Sequence, residues 1–472
     1  MEKSWRWNQS LVPKEEDLED AIQSPCRKRS RIKEEDPDDL ININKLPDAM
    51  LSEILYRLPC RLALQCKSLS KRWFSLVSDP YFICGFIDHH SDCSSQPFNL
   101  LLQNKLNYFT CRKDIKVFPS NNSDLPRRNY FLKFLNPDFG MSIQASFNDL
   151  VLVFSKAKRK YHICNPLIRE WLTLPRPPIE KTNSFMAGFI CDSYSRYKVV
   201  RIYNPSKPKT TQLEMEIFCS ETGKWRNSVV SSPRELNFST IDSMRTGVVA
   251  CNGMLHWLDT CYNDELNVKV KGIVVFDPFN DTERCLYIDP PINYHTPEGY
   301  NSIGMFQGRL RILQFACYPH VAVKATRFSV WELEDYSNAG TWCMKHEVYF
   351  DKIVSEERFT VINMDQIQRP YLPLMNFVAF HPNDGELVFL QFLNYLVLCN
   401  MQTKVLNIAG TIPYDYICSF HLLLQTPWPT PIHSSESTRR GLICRCHRCQ
   451  YCRHRCRCRR RQCRGLLITL RI

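Results

Sequence analysis

The sequence predicts a small all-α segment followed by an all-β, propeller-like repeat domain of about six blades. Apolar residues recur with a helical period from Leu46 to about Phe86. Beyond residue 95, short runs rich in Val, Ile, Phe, Tyr and Leu alternate with polar turns, which is typical of β-strands. Equivalent turns then recur at intervals of 54 to 66 residues, a spacing that indicates propeller blades of about four strands.

The α segment is expected to form three short helices, and their apolar residues follow the helical period. Those of the first helix are Leu51, Ile54, Leu55 and Leu58, at positions i, i+3, i+4 and i+7. Those of the second, shorter helix are Leu62, Cys66 and Leu69, and those of the third are Trp73, Leu76 and Val77. Pro59 is expected to end the first helix, Ser70 to cap the third and Pro80 to stop it. Because three such helices cannot bury all these side chains among themselves, we expect a partner surface.

A longer motif in this segment runs from Leu46 to Phe82. It reads L-P-D-x-x-L-x-E-I-L-x-R-L-P and then K-S-L-S-K-R-W-F-S-L-V-S-D-P-Y-F. This pattern resembles an F-box, and the resemblance implies that the segment, residues 43–90, docks on a Skp-family adaptor. The adaptor-binding residues are then expected to be Leu46, Pro47, Ile54, Leu55, Leu58, Pro59 and Trp73.

The β domain is expected to span residues 95–432. Its repeated turns fall at Asn165, Cys219, Asp277, Glu334 and Asn400, and a sixth unit is expected to precede them at Cys111. The sequence contains no Gly-Gly pair and no Trp-Asp dipeptide, so neither the usual kelch signature nor the WD signature applies.

Several short stretches of the β domain are similar to the F-box-associated interaction domain of plant F-box proteins. These stretches are Asn165-Pro166 with Trp171 and Leu174-Pro175, Tyr197 to Val200, Asn252 to Trp257, Phe276-Asp277, and Val330-Trp331. The chain departs from that pattern at Asn148-Asp149, where the family usually has Asn-Gly. Because Asp also tolerates turn geometry, we expect this departure to weaken one turn only.

Catalytic motifs are absent from the sequence: it has no G-x-S-x-G, H-E-x-x-H, G-x-G-x-x-G or EF-hand pattern. His256 lies beside Trp257 in a predicted inner strand, and a hydrogen-bonded core histidine is favoured there over a ligand or a base. Three tryptophans, Trp171, Trp225 and Trp342, follow the repeated turns and are expected to act as core wedges between sheets. We therefore expect a non-catalytic chain without a cofactor.

The two ends of the chain differ from its body in composition. Residues 1–42 are polar and charged, and Arg27, Lys28, Arg29 and Arg31 match a short nuclear-import signal as well as they match a solvated charge run. At the other end, twelve arginines from residue 437 onward supply +12 of the net charge of +13. Pro427, Pro429 and Pro431 are expected to open the linker before this tail, and both ends are expected to be disordered.

The tail, residues 433–472, contains seven cysteines between Cys444 and Cys463, with His447 and His454 among them. Structural zinc sites place a loop of about 12 to 20 residues between two ligand pairs, and this tail has no such loop, so no metal site is expected. If the tail binds anything, weak binding to polyanions is expected. The other sixteen cysteines are scattered singly and are interpreted as small core residues.

The first residues lack the apolar core of a secretory signal, and no stretch approaches the ~20 apolar residues of a membrane span. The protein is therefore expected in the nucleus, the cytoplasm or both, without membrane contact and with reduced thiols rather than a disulfide framework.

By resemblance, the chain is a substrate-receptor subunit of an SCF (Skp, cullin, F-box) ubiquitin ligase. Its partners would be a Skp-family adaptor, the cullin and RING subunits reached through that adaptor, and an unknown target protein. Two alternatives stay open, a glycan-binding propeller and an RNA-associated protein, although neither explains the F-box pattern.

Overall fold

The computed structural model describes most of the helical segment and of the β domain. The described residues are 43–90, 96–104, 115–119, 141–178, 184–193, 196–203, 209–237, 247–262, 268–280, 283–291, 301–318, 321–336, 340–355, 375–392, 394–412, 418–430 and 432. The chain divides into two compact units, Met1–Leu51 and Ser52–Ile472. The predicted disordered ends, residues 1–42 and 433–472, lie outside the described residues.

Four α-helices open the described chain. They are α1 (Asp48–Tyr56), α2 (Cys60–Gln65), α3 (Lys71–Ser78) and α4 (Pro80–His90), with 3-10 turns at Ile43–Lys45 and Cys66–Ser68. Ser70 caps α3 as predicted, because its hydroxyl accepts a hydrogen bond from the Trp73 N–H at 3.2 Å. The expectation for Pro80 was wrong in part: α3 ends before it, but Pro80 also begins α4. A proline at the first helical position loses no hydrogen bond, so it can start a helix as well as follow one.

One cysteine of the helical segment departs from the expectation of reduced thiols: Cys84 in α4 is disulfide-bonded. Nine other described cysteines carry free thiols.

The β domain is a six-bladed propeller, as predicted. Blade I consists of β1 (Phe98–Asn104), β2 (Ile115–Pro119) and β24 (Cys418–Leu424). Blade II consists of β3 (Met141–Phe147), β4 (Leu150–Ser155), β5 (Lys160–Asn165) and β6 (Glu170–Thr173). Blade III consists of β7 (Ser184–Ser193), β8 (Arg196–Tyr203), β9 (Lys209–Cys219) and β10 (Lys224–Asn237).

The other three blades follow in chain order. Blade IV consists of β11 (Val249–Cys251), β12 (Met254–Tyr262), β13 (Val268–Phe276) and β14 (Leu286–Ile288). Blade V consists of β15 (Asn301–Phe306), β16 (Arg309–Tyr318), β17 (Val321–Asp335) and β18 (Thr341–Tyr349). Blade VI consists of β20 (Met375–Phe380), β21 (Leu387–Phe392), β22 (Tyr395–Asn400) and β23 (Val405–Thr411), and a short β19 (Val354–Ser355) adds to β23 in parallel.

The innermost strands form a closed ring. Each is the edge strand of its sheet, and the contacts run from β24 to β3, β7, β11, β15, β20 and back to β24. Apolar side chains between neighbouring blades form the core, for example Phe328 of blade V with Phe380 of blade VI. This radial closure leaves only the outer strand of each blade as a free edge.

The five predicted turn residues all lie at or next to the end of the third strand of a blade, so they occupy equivalent positions, as the repeat predicted. The sixth predicted turn, at Cys111, falls outside the described residues, between β1 and β2. Blade I is not one continuous stretch of sequence, because its inner strand β24 comes from the other end of the domain.

Blade I is closed by contacts between the two ends of the domain. β24 pairs with β1 along its whole length, from Phe98 opposite Leu424 to Asn104 opposite Cys418. The buried amide of Gln103 in β1 then joins this blade to β3. It donates to the Met141 carbonyl at 3.1 Å and accepts from the Ile143 N–H at 2.8 Å, as a strand backbone would.

The segment after β24 is anchored on blade II by Asp149. This buried carboxylate, in the turn between β3 and β4, accepts hydrogen bonds from the Thr430 N–H at 2.7 Å and from the Thr430 hydroxyl. It also accepts one from the Asn165 amide at 2.8 Å. Burial raises the pKa of Asp149, and the hydrogen bonds from Thr430 and Asn165 oppose that rise. The residue that departs from the family pattern is therefore a buried anchor, and the expectation that it only weakens a turn was wrong.

Trp428 lies in the same segment and packs against α4. Its ring makes edge-to-face contacts with Phe86, at 5.0 Å between centroids, and with Phe82, at 5.9 Å. The Lys67 ammonium lies 5.8 Å from the Trp428 ring. Because Trp428 and Pro429 are buried, the expected linker does not begin at Pro427; Pro431 lies outside the described residues.

We expect Asp149→Ala to lower the free energy of unfolding by about 2 to 4 kcal/mol, because it leaves buried donors of Thr430 and Asn165 without an acceptor. The matched control is Asp384→Ala in the corresponding turn of blade VI, where the carboxylate accepts a hydrogen bond from the Glu386 N–H of its own turn. That control should cost about 1 kcal/mol or less. Urea unfolding followed by tryptophan fluorescence measures both, and equal midpoints for the two variants would contradict the anchoring role of Asp149.

A fragment of residues 95–432 is expected to fold, because the ring closes within it, but to melt at a lower temperature than a fragment of residues 43–432. A substitution of Trp428 tests whether α4 accounts for the difference in stability between the two fragments. Its contacts with Phe82 and Phe86 exist only in the longer fragment, so Trp428→Gln should cost about 2 kcal/mol more there than in the shorter one. Thermal melting of the four proteins gives this difference, and an equal cost in both fragments would show that α4 does not contribute.

Candidate functional site

Two regions of the chain are candidates for function, the helical segment and the propeller. In the first unit, Ile43, Pro47 and Met50 are exposed and Leu46 is half-buried. The two residues predicted there as adaptor-binding, Leu46 and Pro47, are therefore accessible to solvent.

In the second unit, the helical segment exposes four large side chains without a polar group, besides Tyr81 of α4. These residues, called here the exposed apolar set, are Ile54 of α1, Leu62 of α2, Leu69 before α3, and Phe74 of α3. Their side chains are between 40% and 64% exposed. Full burial of an exposed side chain of this size is worth about 1.5 to 3 kcal/mol, and these half-exposed side chains would gain roughly half of that each, so a set of four in one short segment indicates a surface for a partner.

The other predicted adaptor-binding residues of this unit divide into two groups. Pro59 is exposed and Leu58 is half-buried, so both can contact a partner. Leu55 and Trp73 are buried, at 1% and 5% exposed. These two side chains therefore belong to the interior of the helical segment.

Three residues of the exposed apolar set were missed by the sequence analysis. Leu62 and Leu69 follow the helical period, which suggested an inward face, yet the buried residues of α2 are Cys60 and Ala63. Phe74 follows the buried Trp73 and points to the other side of α3. The excess of apolar residues over what the helices can bury was the available signal, and it does not say which residues stay outside.

Charged groups inside the propeller join neighbouring strands. Arg201 of β8 forms a buried ion pair with Glu216, its direct partner in β9. Arg311 of β16 forms the equivalent pair with Glu332 of β17, at 2.8 Å. Burial disfavours ionised Glu332, but hydrogen bonds from Arg311 and Arg309 outweigh that effect and lower its pKa.

Each of these arginines also reaches a neighbouring blade. The Arg201 guanidinium lies 5.7 Å from the Tyr161 ring of blade II. Arg311 donates to the Gly385 carbonyl of blade VI at 3.0 Å. The two pairs therefore stabilise contacts between blades, and their charges are already balanced within the domain.

His256 is a hydrogen-bonded core residue, as predicted. Its Nδ1 lies 3.3 Å from the Val249 carbonyl, and its Nε2 lies 3.1 Å from the Tyr336 hydroxyl of blade V. Burial lowers the pKa of His256 to about 4. The imidazole is therefore neutral at physiological pH, with Nδ1–H donating to Val249 and Nε2 accepting from Tyr336.

The three tryptophans expected as wedges between sheets do not behave alike. The indole N–H of Trp225 donates to the Pro175 carbonyl at 2.8 Å, just after the outer strand of the preceding blade. Trp342 makes the equivalent bond to the Asp289 carbonyl, also at 2.8 Å. The prediction holds for these two, but it was wrong for Trp171, which is 48% exposed.

The remaining predictions concern metal binding, membrane spans and the two ends of the chain. Among those residues, no group of three or more His, Cys, Asp and Glu side chains could hold a metal ion. No helix within the same part of the chain is long and apolar enough to cross a membrane. The nuclear-import candidate at Arg27, Lys28, Arg29 and Arg31 and the Cys/Arg-rich tail lie outside it.

His256 gives a prediction about pH. Since its pKa in the folded state, about 4, is below the usual value near 6.5, protonation favours the unfolded chain. The neutral His256 contributes about 3 kcal/mol to the free energy of unfolding above pH ~6.5, and this contribution declines as the pH falls towards 4. We expect the stability difference between the wild type and His256→Gln in urea to shrink over that range. The control Tyr336→Phe keeps the buried imidazole and should keep the pH dependence; a difference that is constant from pH 7.5 to 4.5 would contradict the assignment.

Comparison with known proteins identifies both regions. Residues 43–84 match the F-box domain, and residues 107–421 match the family described as "F-box protein At3g26010-like, beta-propeller". The F-box protein At3g26010 of Arabidopsis thaliana is 24% identical over 382 residues, which cover 78% of this chain and 80% of that protein. The F-box protein At5g49610 of Arabidopsis thaliana is 27% identical over 318 residues, covering 62% of this chain and 77% of that protein.

Solved structures are more distant. A crystal structure of a nidogen/laminin complex covers 70% of this chain and 98% of its own, with 11% identity and a TM-score of 0.31. With a TM-score this low, the likeness supports no conclusion about this chain. The F-box match and the propeller match together cover most of the described residues, and the propeller match alone covers more than half of the chain. The chain belongs to the family of F-box proteins with an At3g26010-like β-propeller.

Proposed function

We propose that this protein is a substrate-receptor subunit of an SCF-type ubiquitin ligase. The observation that carries the proposal is the exposed apolar set on the helices of the F-box, in a chain whose remaining domain is a closed propeller. In this proposal the F-box binds a Skp-family adaptor, which connects the chain to the cullin and RING subunits, and the propeller binds a target protein.

The contacts of the F-box explain how it would bind. Buried Leu55 and Trp73 hold the helices in place, while Ile54, Leu62, Leu69 and Phe74 present apolar surface to the adaptor. Apolar and aromatic side chains that become fully desolvated supply most of the free energy of a protein interface. The F-box resemblance adds Leu46, Pro47, Leu58 and Pro59 to the contacts with the adaptor.

The propeller would act as the interaction domain, in the role implied by its similarity to F-box-associated interaction domains. Its rigid blades, joined by Arg201–Glu216, Arg311–Glu332 and His256–Tyr336, would present loops at fixed positions to a target protein. The chain would contribute no chemistry. It would raise the effective concentration of a target lysine near a ubiquitin donor bound elsewhere in the complex. We propose that it works in the nucleus, the cytoplasm or both.

Adaptor binding tests this proposal directly. We expect Ile54→Ser with Leu62→Ser, and separately Leu58→Ala with Pro59→Ala, to weaken binding to a Skp-family adaptor by a hundredfold or more, because interface anchors cost at least about 2 kcal/mol each when truncated. Isothermal titration calorimetry of the full chain measures the dissociation constants.

The matched control is Leu286→Ser in β14, an exposed leucine of the propeller. It should leave adaptor binding unchanged. Wild-type affinity in both double variants, with melting temperatures near that of the wild type, would overturn the proposed adaptor-binding role of the F-box.

A further inference from the structure

Blade III contains a lysine and a cysteine whose functional groups are in contact. Lys198 of β8 and Cys219 at the end of β9 are direct partners in the strand register. The Lys198 ammonium nitrogen lies 3.0 Å from the Cys219 sulfur. Both side chains are close to the surface but largely covered, with Lys198 9% and Cys219 8% exposed.

The position of Lys198 calls for an anion. Burying an ammonium costs several kcal/mol unless a negative group compensates it. Within the described part of the chain, the group in hydrogen-bond contact with Lys198 Nζ is the Cys219 sulfur, and the Phe279 ring of blade IV lies 5.8 Å from the same nitrogen. An ionised Cys219 would place an anion in direct contact with this ammonium.

The turn after β9 lies close to the same sulfur. The Glu221 carboxylate lies 3.7 Å from the sulfur, and its charge is partly balanced by Arg196 at 3.5 Å. The donor in direct contact with the sulfur is the Lys198 ammonium, and a neighbouring positive charge of this kind stabilises a thiolate.

The other described cysteines of the propeller have different surroundings. Burial raises the pKa of Cys164, Cys251, Cys285 and Cys399, as expected for small core residues. Burial would do the same to Cys219, but the hydrogen bond from Lys198 and the nearby backbone of Thr222 and Glu221 outweigh it, and the pKa of Cys219 is lowered. The interpretation of the scattered cysteines as core residues therefore does not extend to Cys219.

We propose that the Lys198–Cys219 pair is a thiolate–ammonium site at which peroxide oxidises Cys219 to a sulfenic acid. The sulfur attacks one oxygen of hydrogen peroxide, so that an S–O bond forms and the O–O bond breaks. The departing hydroxide takes a proton from the Lys198 ammonium and leaves as water. Cys219 loses two electrons and the peroxide gains them. Afterwards the sulfur carries no negative charge, and its ionic contact with Lys198 between β8 and β9 is lost. The proposal does not depend on the proposed ligase function.

The test compares cysteines within one protein. The reduced full chain is treated with hydrogen peroxide and dimedone at pH 7, and labelled cysteines are located and quantified over time by mass spectrometry. Cys343 is the internal reference, because it is more exposed than Cys219 and its described contact is a long one, from Sγ to the Met344 carbonyl at 3.8 Å. We expect Cys219 to be labelled about tenfold faster than Cys343, since thiolate character and not exposure alone sets the rate.

Variants then test the role of the ammonium. Lys198→Met should slow labelling of Cys219 about tenfold, whereas Lys198→Arg should retain most of it, because arginine keeps the positive charge. Lys224→Met, which removes an exposed lysine from the same hairpin, should have no effect. Faster labelling of Cys343 than of Cys219 in the wild type would overturn the proposal. So would an unchanged rate for Cys219 in folded Lys198→Met, as judged by circular dichroism; if that variant fails to fold, the wild-type comparison of the two cysteines decides.

Discussion

The pairing of β24 with β1 is the contact on which the rest of the propeller depends. Without it blade I would lose its inner strand, and the ring of innermost strands would be open between β3 and β20. Two side chains reinforce this closure by joining blade I and the segment after it to blade II. Gln103 hydrogen-bonds to the backbone of β3, and Asp149 holds Thr430 of the segment that follows β24. A long-range pairing of this kind forms only after a large loop-closure entropy has been overcome, so the polar anchors beside it have a clear energetic role.

The parts of the fold that depend on local pattern could be predicted from the sequence. The predicted turns occupy equivalent positions in their blades, because each third strand and the turn after it repeat within one stretch of chain. These turns are at Asn165, Cys219, Asp277, Glu334 and Asn400. The closure by β24 was not predicted, since residues on opposite ends of a domain leave no periodic signal of their pairing. Trp171 shows the same limit. Trp225 and Trp342 each bond to the segment after the outer strand of the preceding blade, whereas the blade before Trp171 is the divided one, with three described strands.

The candidate site was predicted in outline for a similar reason. A count of apolar residues showed that the short helices had more than they could bury, but the helical period alone did not separate buried Leu55 from exposed Ile54, one position away. Orientation depends on what each helix packs against, and that is settled by tertiary contacts. Sequence therefore predicted that a surface exists, and the structure shows which residues of the second unit form its exposed part.

Asp149 connects these observations. At this position a glycine, as in the family pattern, would satisfy the turn between β3 and β4, where Asn148 has a φ of 51°, but would offer no acceptor to Thr430. The aspartate fixes the segment of residues 425–430, and that segment carries Trp428 to Phe82 and Phe86 of α4. The same buried carboxylate thus supports both the closure of the ring and the seat of α4 on the domain. Under the proposed function, the contact between α4 and the propeller would limit how widely a bound target can move, and a narrower range of positions would raise its effective concentration at a fixed donor.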